Sequence, residues 1–142
     1  MPSLNVQREI AVRGPQEPDE VWDRYVRPVR WRQWSPQIVG VDYEPPRLVP
    51  GTTGVVRGPL RMPVPFEVLA VEESDPSRRI WRWRAGVLSL HVELEHVVEP
   101  ARAPGHGTLT RLVLSGPAPV VVPYLPLAWL ALYRLVHLSG PE

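Results

Sequence analysis

The chain opens on alternation. Leu4, Val6, Ile10 and Val12 fall on one side of the first segment, and Asn5, Gln7, Glu9 and Arg13 on the other. That period of two predicts a strand with one buried face, from Leu4 to Arg13. Arg8 interrupts the apolar side, and Gly14-Pro15 ends the run. At Pro18 the period changes: Pro18-Asp19-Glu20 suits the first turn of a helix, and Val21, Trp22, Tyr25 and Val26 follow at helical spacing. Pro28 stops this helix. Val29–Trp34 reads as a second short one, closed by Ser35-Pro36. Neither is long enough to hold without packing.

From Ile38 onward the text is strands and turns. Strands are predicted at Ile38–Glu44, Thr53–Arg57, Phe66–Glu72, Arg79–Ala85, Val87–Glu99 and Thr108–Ser115. Glu44-Pro45-Pro46-Arg47, Gly58-Pro59, Asp75-Pro76-Ser77, Gly86 and the Pro100–Gly107 loop separate them. With the first segment this makes about seven strands. Ala118–Val136 is almost wholly apolar, with Pro119, Pro123 and Pro126 crowded into its front half. A membrane span needs roughly 20 apolar residues. The prolines shorten the helical part to a stretch from near Pro126 to Leu138, which favours a soluble C-terminal helix over a transmembrane span.

Composition narrows the class. The 142 residues fit a single domain, 1–142, and 19 prolines exclude a helical bundle while allowing short strands joined by turns. A net charge of +1 gives no basic field for nucleic acid. All 16 basic residues are Arg, which suits recognition of planar anions or reflects nothing more than coding composition. The absence of Cys removes disulfides, thiolate nucleophiles and Cys-based zinc sites together. No Gly-rich phosphate loop, metal-ligand spacing among the four His or Gly-x-Ser-x-Gly elbow is present, so no cofactor or metal is expected. No signal peptide is visible at the N-terminus, and a cytoplasmic protein is the default expectation.

The order of strand, two short helices, antiparallel strands and long C-terminal helix resembles the START/Bet v1-like superfamily, the polyketide cyclase/dehydrase and lipid-transport family. The matching residues run from Glu20-Val21-Trp22 through Trp31-x-x-Trp34-Ser35-Pro36-x-Ile38-x-x-Val41 to Leu48-x-x-Gly51-Thr52-x-Gly54. They continue with Val68-x-x-Val71, Arg79-Ile80-Trp81, His96 before Glu99-Pro100, Gly107-Thr108-Leu109-Thr110 and Gly116-Pro117. The resemblance implies an α+β helix-grip fold, a curved antiparallel sheet around the last helix. It also implies an apolar cavity between the two that takes a hydrophobic small molecule such as a lipid, isoprenoid or polyketide. Activities in the superfamily extend to polyketide cyclisation and dehydration, and one branch consists of co-chaperones.

Strand parity nominates the residues of such a cavity. In Val87–Glu99 the even positions Leu88, Leu90, Val92, Leu94, His96 and Val98 form the continuously apolar face, and His91 points out with the carboxylates. His96 is then a candidate general acid/base or polar anchor, or a core His satisfied by a backbone carbonyl. Trp81 and Trp83 share one face of their strand and Arg82 and Arg84 the other, and the aromatic face is the expected inner one. The opposite register would bring the two Arg into the cavity.

Arg8 either enters the cavity as an electrostatic partner of His96 in catalysis or lies at the sheet edge with its head in water. Trp31 and Trp34 mark the helix-to-strand corner, as rim or as core. On the C-terminal helix Leu125, Ala128, Leu132, Leu135 and Val136 form an inner stripe, with Arg134 and His137 opposite and Leu127, Leu130 and Tyr133 beside them. The expected ligand-binding set is Trp34, Trp81, Trp83, Leu90, Val92, Leu94, His96, Ala128 and Leu132. Homodimerisation through the outer helix face is a further expectation.

Overall fold

The computed structural model describes residues 5–58, 61–87, 89–101 and 107–138. Leu4 and Leu88, both assigned above to inner faces, lie outside them. The strands are β1 (Asn5–Gly14), β2 (Gly40–Asp42), β3 (Thr53–Arg57), β4 (Pro63–Glu72), β5 (Arg79–Val87), β6 (Leu90–Pro100) and β7 (Thr108–Pro117). They form one antiparallel sheet in the order β1-β7-β6-β5-β4-β3-β2, so each strand after β1 pairs with its neighbour in sequence and β1 closes on β7. Between β1 and β2 come α1 (Pro18–Val26), a single 3-10 turn (Pro28–Arg30) and α2 (Trp31–Trp34). The last element is α3 (Ala118–His137).

Pairing settles which faces are buried. Trp81 lies opposite His96, Trp83 opposite Leu94, and Ala85 opposite Val92. The other face of the same pair carries Arg82 opposite Glu95 and Arg84 opposite Glu93. Like residues thus face like, and the aromatic face is the inner one. In β4 the pairing slips between Val68 and Ala70, the mark of a bulge. Phe66 and Val68 point inward before it and Val71 after it, so one extra residue changes the parity that alternation alone would carry through.

α3 begins eight residues earlier than the prolines suggested. Pro119 sits in the first turn, where an amide hydrogen has no intrahelical acceptor to lose. Pro123 and Pro126 lie inside the helix. They deprive the carbonyls of Pro119 and Val122 of donors, but these residues are on the exposed side, where water can substitute. By length and apolarity the helix could cross a membrane. Here it is the core helix of the fold, with Val121, Ala128, Ala131, Leu132, Leu135 and Val136 buried. Close approach to β1 requires Gly14: a Cβ there would lie 2.4 Å from the Val136 carbonyl oxygen.

α1 and α2 cover one end of the groove between sheet and α3, burying Tyr25, Trp31 and Trp34. A fully buried guanidinium, Arg24, ties this cap to α3. Its Nη1 donates to the Leu135 carbonyl at 2.7 Å and its Nε to Glu20 at 3.0 Å. Glu20 also accepts from Arg30 at 2.7 Å, and Asp23 accepts from Arg30 at 2.6 Å.

Candidate functional site

The space between sheet and α3 is divided in two. The larger part is an apolar cavity of about 450 Å³, with walls from the inner faces of β3 to β7 and from the first half of α3. Trp83, Ala85, Val92, Leu94 and Leu114 form its floor, and Val120, Tyr124 and Leu127 its roof. Met62 and Leu127 belong both to its walls and to the exposed surface, so its mouth is there. The smaller part, about 30 Å³, is enough for a water or one small group. It lies deeper, among Trp31, Trp34, Trp81, His96, Ala128 and Leu132. Ile38, Trp83, Leu94 and Tyr124 are common to both.

His96 reaches this place because β6 carries it inward opposite Trp81 on one side and Leu112 on the other. Its ring stacks on Trp81 with centroids 4.5 Å apart and an interplanar angle of 8°. The Trp83 indole N–H donates to its Nε2 at 3.0 Å, and its Nδ1 is 3.1 Å from the Tyr25 hydroxyl. An indole nitrogen can only donate, so His96 Nε2 must be the bare, accepting nitrogen. The neutral ring then carries its proton on Nδ1 and donates it to Tyr25. Tyr25 in turn lies 3.0 Å from Thr110 Oγ1, a contact in which either hydroxyl can donate. The contacts run from Trp83 through His96 and Tyr25 to Thr110.

Burial drives the same way, pushing the His96 imidazolium down to a pKa of about 3 and raising the Tyr25 phenol. The Tyr124 phenol is raised by burial as well, although the Gln37 amide beside it opposes the shift. Chemically, His96 is a neutral acceptor held by a donor that cannot change role. A proton taken from a ligand would have to displace the Trp83 hydrogen bond.

Of the expected binding residues, Val92 lines the larger cavity, Trp83 and Leu94 line both parts, and Trp34, Trp81, His96, Ala128 and Leu132 line the smaller. Leu90 does not join them. It is the first residue of β6, paired with Val87 at the sheet's outer end and exposed, beyond the cover of α3. Arg8 is also elsewhere. It shares the inner side with Leu114, but on the edge strand β1, where its guanidinium is exposed and donates to the Gln7 carbonyl at 3.0 Å. A guanidinium with no carboxylate partner among the described residues is far less costly in water than in an apolar cavity, and the edge position allows it to stay wet. His96 and Arg8 are therefore not brought together.

Trp31 and Trp34 are core anchors at the corner of the cap, their indole N–H groups donating to the carbonyls of Tyr25 and Arg24. Arg134 is not on a free outer face, since it donates to the Gln33 carbonyl at 2.9 Å. Tyr25, Gln37 and Tyr124 were not among the expected site residues. Tyr25 has the spacing of a helix core position, and nothing in that spacing points to a His 71 residues away. Gln37 and Tyr124, bonded at 2.8 Å, stand in Pro-flanked segments whose pattern carries no parity to read. Among the described residues no group of three His, Asp or Glu is placed to hold a metal ion.

Solved structures of the same shape are numerous. Ginseng major latex-like protein 151 from Panax ginseng superposes with a TM-score of 0.72 at 13% identity, over 94% of this chain and 96% of that one. Ara h 8.0201 gives 0.68 at 15% identity over 92% and 98%. A hypothetical protein from Helicobacter pylori gives 0.67 at 17% identity over 93% and 85%. At these identities the likeness is one of fold. A search of curated proteins by sequence finds no match. The family model for polyketide cyclase / dehydrase and lipid transport matches residues 1–134, nearly the whole chain. Together with the helix-grip architecture, that match makes this chain a member of the polyketide cyclase/dehydrase and lipid transport family.

Proposed function

We propose that this protein binds an uncharged hydrophobic small molecule in the larger cavity and carries or sequesters it. The observation that supports this most directly is the cavity itself. Its volume of about 450 Å³ falls within the range of about 300–1,000 Å³ common for small-molecule sites, and among the described residues no charged side chain lines it. Such an apolar space invites an apolar guest. Cytoplasmic residence is part of the same proposal. Native mass spectrometry of the purified protein, followed by organic extraction, tests it. A retained or added hydrophobic compound should appear at a ratio of one per chain. Failure to take up any of a panel of sterol, terpenoid and polyketide probes would sink the reading.

A cyclase or dehydratase reading needs at least two convergent polar groups at the reacting atoms. His96 has both ring nitrogens engaged and Arg8 is at the sheet edge, so the geometry favours binding over that chemistry. Self-association through α3 is proposed alongside, because Trp129, Leu130 and Tyr133 form an exposed apolar row on it. Sedimentation velocity of the wild type against Leu130→Glu tests this, and a wild type that stays monomeric at high concentration would end it.

A further inference from the structure

Among the described residues the larger cavity has few polar side-chain groups in its walls. Gln37 and Tyr124 supply two, and the third, the Trp83 indole N–H, is committed to His96. Gln37 follows the turn after α2, and Tyr124 stands in the second turn of α3. Gln37 Nε2 donates to the Tyr124 hydroxyl oxygen at 2.8 Å. This bond leaves two capacities unused. Gln37 Oε1 is buried and accepts from nothing among the described residues, and the Tyr124 hydroxyl proton is not consumed by an amide N–H that itself donates. A buried acceptor with no donor carries the full desolvation penalty of an unmade hydrogen bond. The terminal torsion of a glutamine is soft, so the amide can turn its oxygen toward a guest beside it.

We propose that Gln37 and Tyr124 form the head-group anchor of the cavity, and that its ligand class is an uncharged apolar molecule bearing one hydroxyl. This rests on the hydrophobic-ligand reading above. A hydroxyl accepts from Tyr124 and donates to Gln37 Oε1, using both free capacities at once. A ketone or ether can only accept and leaves Gln37 unpaired. A carboxylate would have to be desolvated without a cation to meet it, because the described lining residues include no Arg or His. In the opposite amide orientation Oε1 would accept from Tyr124 and Nε2 would meet the guest, an arrangement that serves an ether as well as a hydroxyl, so equal affinities for the two are its signature.

The experiment uses four probes on one ten-carbon chain: 1-decanol, decyl methyl ether, decane and decanoate at pH 7.5. Binding is read from tryptophan emission, to which Trp83 in the wall contributes. Decanol should bind at least about ten-fold tighter than the ether, decane or decanoate, the size of one well-placed hydrogen bond. In Gln37→Leu its affinity should fall to that of the ether, with ether binding unchanged. Tyr124→Phe should narrow the same gap and serves as the independent variant if Gln37→Leu does not fold. Equal affinities for decanol and ether in the wild type would overturn the anchor while leaving the cavity reading intact, as would decanoate binding tighter than decanol. A gap that survives in the folded variants does the same. If none of the four binds, the cavity reading itself fails and the anchor with it.

Discussion

His96 shows how one residue's surroundings fix its chemistry. The imidazole is sandwiched against Trp81, and its two nitrogens are assigned opposite roles by partners of unequal freedom. Trp83 can only donate, so protonating His96 would set two donors against each other as well as burying a charge. The folded-state pKa of about 3 lies below the unfolded value of about 6.5. Between those values the unfolded chain binds the extra proton, so stability is fully present above pH 6.5 and declines as the pH falls. At pH 5 the loss from this one group is about 2 kcal/mol. Urea unfolding at pH 7 and pH 5 should show it, and in His96→Gln the difference should shrink. A His96 ring that titrates by NMR between pH 5 and 8 would contradict the assignment. That His96 faces inward was legible from five apolar neighbours at even positions. Its neutral state was not, because the partners that enforce it come from β5 and α1, and no pattern along β6 names them.

At the scale of elements, what holds the cap to the last helix is polar as well as apolar. Arg24 is fully buried and bridges Glu20 to the carbonyl of Leu135 in the last turn of α3, where a cation also suits the helix dipole. Glu20→Ala removes the carboxylate that Arg24 and Arg30 share and should cost about 2–3 kcal/mol, less than a wholly buried pair because Glu20 is itself one-third exposed. A urea midpoint unchanged within error would show that the network is decoration. Gly14→Ala tests the other contact of α3. The new methyl would meet the Val136 backbone, which cannot rotate away, so the helix must shift from β1 at a cost of roughly 1–3 kcal/mol. The strands themselves were readable from a local signal, and Thr53–Arg57 matches to the residue, while Ile38–Glu44 shrinks to Gly40–Asp42 and Val87–Glu99 becomes Leu90–Pro100. The start of α3 was not. Whether Pro123 and Pro126 break a helix depends on the solvent around the carbonyls they strand, and that is a tertiary fact. The β4 bulge escaped for a similar reason, since Leu69 is an ordinary strand residue and only pairing with β5 exposes the slip.

For the whole molecule, the division of the interior matters more than any single wall. The order of elements already implied a sheet gripping a helix with space between. It could not reveal that Ile38, Trp83, Leu94 and Tyr124 pinch that space, leaving the aromatic end packed and the end under the prolines open. The division separates stability from capacity. At the packed end Leu132 and Leu135 are fully enclosed, and truncation there leaves a void. At the open end the same operation enlarges a space that exists already, and filling it need not strain anything. Val64 lies partly buried on β4 in the wall of the larger cavity. Val64→Phe should therefore keep or raise the thermal midpoint, by up to about 1 kcal/mol of added burial, while weakening decanol binding ten-fold or more. Leu132→Ala should do the reverse, losing about 2–5 kcal/mol of stability with decanol affinity nearly unchanged. Calorimetric melting and the same fluorescence titration on both variants decide the matter. If Val64→Phe melts lower and binds as before, the open end is not where the ligand goes.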